Sequence, residues 1–138
     1  MGALSHIRVL DLSRVLAGPW CAQNLADLGA EVIKVERPKS GDDTRHWGPP
    51  FAKDPLGKDT SESAYYISIN RNKKSITLDI STPEGQEIVR GLVEQSDVVI
   101  ENYAAGVLAR WGLSWETLRS WNPRLVYVTM SGCGHEGP

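Results

Sequence analysis

The sequence has little of what marks metal, redox or membrane proteins. Its two cysteines, Cys21 and Cys133, belong to no Cys-x-x-Cys pair, which leaves a reducing compartment as the simplest setting. Its longest apolar runs fall far short of the roughly 20 residues that span a bilayer. The N-terminus also lacks the basic and apolar regions of a secretory signal. We therefore expect a cytoplasmic protein, or one of an organelle matrix if the source is eukaryotic, without a metal or a membrane partner.

An excess of charge of one sign is also missing. The formal net charge of −2 provides no general attraction to nucleic acid or to an anionic membrane. Hydrophobic residues make up 41% of the 138 residues, which is enough for the core of one domain. Nucleic acid is therefore not expected as a partner, and any site for an anion has to be local.

The glycine fingerprints of common nucleotide sites are absent as well. Residues 13–18 (SRVLAG) follow a predicted strand and open a predicted helix, where free backbone N–H groups can meet a phosphate or carbonyl oxygen. This loop contains neither G-x-G-x-x-G nor G-x-x-x-x-G-K-[ST], which disfavours a dinucleotide or P-loop site. Glu36 ends the second predicted strand, where an acid can hold a ribose, but without the glycines that role is a minor alternative.

What is present is an alternation of strand and helix patterns. Branched apolar runs predict strands at residues 7–12, 31–36, 97–101 and 125–130. Helices are predicted from Pro19 to Gly29, after a Ser81 or Thr82 cap, over residues 106–111, and from Ser114 to Trp121. Residues 37–61 are predicted as a long irregular loop, and residues 65–69 and 75–80 as apolar runs that could form a hairpin. The order predicts an α/β fold with an open, mostly parallel sheet and helices on both faces.

Ligands of such sheets bind beyond the carboxyl ends of the strands, which points to the loops 13–18, 37–45 and 102–106. Arg37 comes directly after a strand, so phosphate binding and surface solvation are weighed evenly for it; Arg45 is a weaker candidate. Lys73 and Lys74 are interpreted as solvated surface lysines. The remaining candidates have neither a ligand spacing nor a neighbouring base and are interpreted as structural residues. They are His6, His46, Cys133, His135 and Glu136.

Five segments, taken in order, resemble consecutive landmarks of the family III CoA transferases. They read LDLSRVLAGPWCAQNLADLGAEVIKVERP, GDDTRHWGPPF, NRNKKSITLDISTPEG, DVVIENYAAGVLARWGL and NPRLVYVTMSGCGHEGP. The resemblance covers essentially the whole chain. It implies that residues 1–138 are the N-terminal part of a Rossmann-like, CoA-binding large domain in a larger two-domain enzyme. It also implies a homodimer of two interlocked chains.

The resemblance implies a set of residues that contact CoA or acyl-CoA. Val15, Leu16 and Ala17 would line the thiol end or the pantetheine of CoA, and Arg37 would meet the nucleotide phosphates. The remaining contacts would flank the adenosine or touch other parts of CoA, and they are Leu78, Asp79, Ile80, Ser81, Asn102, Tyr103, Ala104, Val107 and Arg110.

The family mechanism uses an aspartate that forms an anhydride with the acyl group and then a thioester with CoA. By resemblance this aspartate lies beyond Pro138, as do the shielding glycine-rich loop and the small domain. We therefore expect CoA transfer to a carboxylic acid, slightly favouring a dicarboxylic one, for the parent protein and no activity for these 138 residues alone. Two alternatives stay open: an α-methylacyl-CoA racemase of the same superfamily, and a non-catalytic CoA- or nucleotide-binding module.

Overall fold

The structure, a computed structural model, describes residues 2–134, and their main element is a five-stranded parallel sheet. The strands of the described residues are β1 (Arg8–Asp11), β2 (Glu31–Glu36), β3 (Phe51–Lys53), β4 (Asp59–Ser63), β5 (Lys73–Thr77), β6 (Val98–Glu101) and β7 (Val126–Thr129). The helices are α1 (Ala17–Asp27), α2 (Ala64–Ile69), α3 (Pro83–Val93), α4 (Val107–Arg110) and α5 (Trp115–Trp121). The sheet order is β5-β2-β1-β6-β7 with every pair parallel, and β3 and β4 form a separate antiparallel pair.

Alternate residues of the central strands supply two cores on opposite faces of the sheet. Val9, Val32 and Ile100 pack with Ala22 and Ala26 of α1 on one face. On the other face, residues of the same three strands pack with residues of α3 and α5, namely Leu10, Val35, Val99, Val89, Val93 and Leu118. Because side chains alternate across a strand, this division confirms the predicted open parallel sheet with helices on both faces.

Helix starts follow the predicted capping chemistry. Thr82, rather than Ser81, caps α3: its hydroxyl accepts a hydrogen bond from the Gly85 N–H at 3.1 Å, and Pro83 lies in the first turn. Ser114 caps α5 by accepting from the Thr117 N–H at 3.3 Å. These caps are local interactions between residues three apart, which explains why sequence alone predicts them.

The possible hairpin between residues 65–69 and 75–80 does not form. Residues 65–69 lie in α2, because the Ser63 hydroxyl accepts from the N–H groups of Tyr65 and Tyr66 and starts a helical turn. β5 pairs instead with β2, in parallel. A short apolar run has no period that separates strand from helix, so the hydroxyl cap decides.

The predicted irregular loop over residues 37–61 contains more order than expected. A 3-10 turn spans Asp43–His46, and the hairpin of β3 and β4 lies further along. Some large apolar side chains of the helices and their ends are exposed. Ile88 is 51% and Leu28 is 53% exposed, while the small side chains Ala22 and Ala26 fill the core under α1. The His135 and Glu136 interpretations fall outside the described residues. No helix within residues 2–134 is long and apolar enough to cross a bilayer.

Candidate CoA site

A cleft of about 570 Å³ opens at the carboxyl edge of the sheet, beyond the ends of β1, β2, β5 and β6. Its floor is apolar, with Leu12, Val35 and Trp111, and Arg14 lies among its polar lining groups. The structure brings together there eight of the residues that the resemblance assigns to CoA: Arg37, Leu78, Asp79, Ile80, Ser81, Tyr103, Ala104 and Val107. These residues are far apart in sequence, and the parallel strand order is what places them along one cleft.

The other assigned residues lie outside this lining. Val15, Leu16 and Ala17 form the turn into α1, and Leu16 is 42% exposed. Arg110 is exposed at the last turn of α4. Asn102 is half-buried and holds backbone groups of the neighbouring loop. These residues surround the cleft or support its walls.

The loop between β1 and α1 is held by side chains from three other segments. Lys34 Nζ donates to the Ser13 carbonyl at 2.9 Å. The Asn102 amide accepts from the Arg14 N–H at 2.8 Å and donates to the Arg14 carbonyl at 2.7 Å. The Val15 N–H donates to Asp42 at 3.2 Å. Successive backbone groups of the loop are therefore fixed from outside.

Val15 needs this support because its φ of +69° lies in the left-handed region. A β-branched residue is strained there, and such strain persists only where the surroundings impose it. Gly18 follows in the same turn, and a Cβ at this glycine would lie 2.2 Å from the Ser13 Cβ. The loop is thus a rigid wall, and its positive φ at Val15 sets where α1 begins.

The Asp42 carboxylate that holds Val15 is itself buried and paired. Lys34 Nζ lies 3.0 Å from it, and both side chains are about 1% exposed. The Thr44 N–H and hydroxyl also donate to Asp42, at 3.0 and 2.8 Å. Burial alone would raise the pKa of Asp42, but the Lys34 charge and the Thr44 N–H outweigh it and lower this pKa below its usual value. Asp42 is therefore an anion that organises the loop.

A second buried ion pair corrects the surface interpretation of Lys73. Lys73 Nζ lies 2.9 Å from Asp11, with side-chain exposures of 2% and 0%, and it also donates to the Pro19 carbonyl at 2.7 Å. Burial lowers the pKa of Lys73, and the negative charge of Asp11 opposes that effect. Lys74, the next residue of the strand, is 71% exposed as expected. Alternation along β5 is the sequence signal that could have separated the two lysines.

Glu36 and Arg45 are bound to each other, which excludes the minor ribose-binding alternative for Glu36 and leaves Arg45 unavailable for a phosphate. Glu36 is 4% exposed and accepts from Arg45 Nε at 2.7 Å and Nη2 at 2.8 Å, with further bonds from Tyr66, Ser75 and the Asp42 N–H. Burial would raise the pKa of Glu36, but these donors, Arg45 foremost, lower it far below the usual value. With both oxygens occupied, Glu36 is a structural anion, and Arg45 is its counter-ion.

Tyr103 forms one side of the cleft. Its ring meets the Trp111 ring edge to face, with centroids 5.5 Å apart, and the Arg14 guanidinium lies 5.4 Å from its centroid. Burial raises the pKa of the Tyr103 hydroxyl. On the opposite side, Ser81 donates through its N–H and hydroxyl to Asp79 at 3.0 and 2.6 Å, which shapes the turn that ends this wall.

The arrangement suits a long ligand with an anionic end and an apolar arm. Arg14 and Arg37 supply positive charge beside an apolar floor, and the rigid loop before α1 supplies backbone contacts. Within residues 2–134 no three His, Cys, Asp or Glu side chains are grouped to hold a metal. Burial raises the pKa of Cys21, which disfavours its thiolate, and Cys133 is exposed in the segment after β7.

A parallel sheet with a cleft at its carboxyl edge defines an α/β ligand-binding domain, and comparison with known proteins identifies its family. The model of CoA-transferase family III matches residues 4–138. The chain is 56% identical over 135 residues to a succinate–glutarate CoA-transferase of Agrobacterium fabrum, covering 98% of this chain and 34% of the relative. It is 50% identical over 135 residues to the human succinyl-CoA:glutarate CoA-transferase, covering 98% and 29%.

Solved structures agree with the sequence relatives. A CAIB/BAIF family protein from Brucella suis superposes with a TM-score of 0.90 at 51% identity, covering 99% of this chain and 35% of that one. A protein from Mycobacterium tuberculosis superposes with a TM-score of 0.87 at 38% identity, covering 100% and 36%. The chain belongs to CoA-transferase family III. It spans about a third of the length of the curated relatives it matches.

Proposed function

We propose that this chain is the CoA-binding wall of an enzyme that transfers CoA from an acyl-CoA to a dicarboxylic acid. Membership of CoA-transferase family III supports the reaction class. Relatives named for succinate, glutarate, mesaconate and citramalate support a dicarboxylic substrate. The observation that carries the proposal is the cleft that joins residues 78–81 to Arg37 and Tyr103, positions that the resemblance assigns to CoA.

CoA would lie along the carboxyl edge of the sheet, with its adenosine at one end and its thiol at the other. The adenosine would rest against residues 78–81, and the phosphates would meet Arg37. The pantetheine arm would pass the apolar floor and Tyr103 towards residues 15–17. The Val15 backbone, fixed by Asp42, would then set the depth of the thiol, so this chain would contribute binding and orientation to the reaction.

Covalent catalysis by an aspartate outside these 138 residues would complete the reaction. Its carboxylate attacks the thioester carbonyl and expels CoA thiolate, which leaves a mixed anhydride. The thiolate then attacks the aspartyl carbonyl of the anhydride, releases the donor acid and forms an aspartyl–CoA thioester. The acceptor carboxylate attacks the aspartyl carbonyl of that thioester and expels CoA thiolate, which leaves a second mixed anhydride. The thiolate then attacks the acceptor acyl carbonyl of this anhydride, which forms the new acyl-CoA and frees the aspartate. We expect the parent enzyme to be a cytoplasmic homodimer with interlocked chains.

Transfer assays on the full-length protein test this function. Succinyl-CoA with labelled glutarate should yield glutaryl-CoA, and hydroxylamine should trap an enzyme-bound acyl group. Incorporation of solvent deuterium at the α-carbon of a methyl-branched acyl-CoA, without transfer, would instead support the racemase. Binding of CoA without either reaction would support a non-catalytic module. The 138-residue chain alone, its length verified by mass, should transfer no CoA.

Substitution of Arg37 tests whether CoA binds in this cleft. Arg37→Gln in the full-length protein should weaken CoA binding by about tenfold, the loss of one charged hydrogen bond to a phosphate. Arg124→Gln removes the same charge outside the cleft and should leave the affinity unchanged within about twofold. Equal effects of the two substitutions would show that Arg37 makes no specific contact with CoA.

A further inference from the structure

Asp43 connects two arginines at the mouth of the cleft. Its Oδ1 lies 2.5 Å from Arg37 Nη2, and its Oδ2 lies 3.6 Å from Arg14 Nη1. Arg37 follows β2 and Arg14 follows β1, so the carboxylate spans the ends of two neighbouring strands. Both arginines also line the cleft. Each oxygen of this carboxylate faces a different guanidinium group, so the carboxylate occupies a position that also suits another oxyanion.

The backbones of the two arginines are anchored independently of Asp43. The backbone of Arg14 is fixed on both sides by the Asn102 amide, and its guanidinium lies 5.4 Å from the centroid of the Tyr103 ring. Arg37 directly follows Glu36, whose carboxylate is buried and anchored by Arg45. Loss of the Asp43 contact would therefore leave the backbones of both arginines in place beside the cleft.

Asp43 itself can leave this position without disturbing the fold. Its neighbours in sequence are buried, with Asp42 at 2% and Thr44 at 0% exposure, and they hold the backbone of the 3-10 turn. Its own side chain is 44% exposed, and the contacts that the structure gives its carboxylate are those with Arg14 and Arg37. Exposed ion pairs of this kind contribute little to stability, so rotation of the side chain costs little.

We infer that Arg14 and Arg37 form a two-arginine phosphate site, and that Asp43 is an internal anion which a phosphate group of CoA displaces. This inference rests on the proposed function and adds Arg14 and Asp43 to it. Arginine pairs bind carboxylates and phosphates with the same fork geometry, so a phosphate can take the place of the Asp43 carboxylate. The competition lowers the affinity for CoA and disfavours ligands that lack a phosphate at this position.

Asp43→Asn, made in the full-length protein, tests the displacement. The substitution keeps the shape of the side chain and removes the competing charge. Calorimetry at low ionic strength should find CoA bound about three- to tenfold more tightly, the gain expected from releasing two exposed ion pairs. Asp59→Asn is the matched control, because Asp59 is 56% exposed and pairs with Lys53 in the hairpin of β3 and β4. It makes the same change in net charge and should change the affinity by less than about twofold.

Truncated ligands identify the phosphate concerned. Dephospho-CoA lacks the 3′-phosphate, and pantetheine lacks every phosphate. An equal gain for CoA and dephospho-CoA would place the 5′-diphosphate between the arginines, whereas a gain for CoA alone would place the 3′-phosphate there. Pantetheine should bind equally to the wild type and to Asp43→Asn. Arg14→Gln, added to Asp43→Asn, should abolish the gain.

The results separate this inference from the proposed function. If wild type binds CoA but Asp43→Asn gains nothing over Asp59→Asn, the displacement is wrong while the CoA site stands. Weaker binding by Asp43→Asn would also overturn it, since Asp43 would then orient the arginines for the ligand. If the full-length wild type binds no CoA at millimolar concentration, both the inference and the proposed function are wrong.

Discussion

Lys34 and Asp42 form an ion pair that is almost completely removed from solvent, with Nζ 3.0 Å from the carboxylate and about 1% exposure of each side chain. The pair connects β2 to the loop that follows it, and through it to the loop before α1. Lys34 reaches the Ser13 carbonyl and Asp42 reaches the Val15 N–H. One buried interaction thus fixes the turn where the thiol end of CoA is proposed to lie.

Lys34→Met should destabilise the protein by about 3–5 kcal/mol, because it leaves the Asp42 carboxylate buried without its counter-ion. Urea unfolding followed by tryptophan fluorescence measures the loss. Lys74→Met is the matched control, since Lys74 is 71% exposed and pairs with Glu31 at the surface. It should cost less than about 1 kcal/mol. A similar loss in both variants would mean that the buried pair has no special role.

Asn102→Ala should loosen the loop before α1 and weaken CoA binding. The Asn102 side chain supplies both hydrogen bonds to the Arg14 backbone, so its removal leaves an N–H and a carbonyl without partners. We expect a loss of about 1–3 kcal/mol in stability and faster hydrogen exchange at the Arg14 N–H. Calorimetry with CoA on the full-length protein should find a weaker complex.

Asn122→Ala provides the control for that change. The Asn122 amide also joins two backbone segments, donating to the Val93 carbonyl at 3.0 Å and the Ser96 carbonyl at 2.8 Å. Its loss should destabilise the fold by a similar amount without changing the exchange of the Arg14 N–H or the affinity for CoA. An equal fall in CoA affinity in both variants would assign the effect of Asn102 to general instability.

Sequence predicts best those features that depend on near neighbours. Strand β2 is an apolar run over residues 31–36, and Thr82 and Ser114 act on backbone groups three residues away. Each is decided within a few residues, so pattern alone is sufficient. The position of Arg37 at the cleft follows from one further rule, that ligands meet parallel sheets at the carboxyl ends of strands.

The failures concern partners that are distant in sequence. Lys73 of β5 is buried against Asp11, which lies 62 residues earlier at the end of β1, two strands away in the sheet. Alternation along β5 can separate Lys73 from Lys74, but no local pattern reveals the Asp11 carboxylate. Arg45 is a weak candidate for phosphate binding by sequence, and the structure shows it bound by Glu36. Asn102 matched a ligand-binding position, and the structure places its amide on the Arg14 backbone. The network that supports the site therefore depends on contacts that only the three-dimensional structure shows.

Glu36→Gln should change how stability depends on pH. The folded protein holds the pKa of Glu36 below its unfolded value of about 4.3, because Arg45, Ser75 and Tyr66 favour the carboxylate despite its burial. The stability from this shift is complete above about pH 4.3 and is lost as the pH falls through 4.3 towards the lower pKa of the folded state. Wild type should therefore weaken in that acid range.

The Glu36→Gln variant should be less stable than wild type at pH 7 by about 2–3 kcal/mol, the cost of losing charged hydrogen bonds. Because it cannot lose that contribution again on acidification, the difference between the two proteins should shrink below pH 4. Urea unfolding across pH 3–7 measures it. Glu87→Gln, on the exposed surface of α3, should cost less than about 0.5 kcal/mol at pH 7. A difference that stays constant from pH 7 to pH 3 would contradict the shifted pKa.

Gly85→Ala and Gly91→Ala, two glycine substitutions in α3, should have opposite effects on stability, and only Gly85→Ala should disturb the cleft. A Cβ at Gly85 would lie 1.8 Å from the Asp79 carbonyl oxygen, so an alanine has to push the turn of residues 79–82 out of place. A Cβ at Gly91 would have no heavy atom within 4 Å. We expect Gly85→Ala to cost about 1–3 kcal/mol through overpacking and to weaken CoA binding. Gly91→Ala should raise stability by up to about 1 kcal/mol, because alanine favours the helix, and should leave binding unchanged.

Since both variants add one methyl group to the same helix, a change in CoA affinity that appears only for Gly85→Ala would assign the effect to the wall formed by Asp79 and its neighbours. Equal affinities in the two variants would mean that this wall does not contact the ligand.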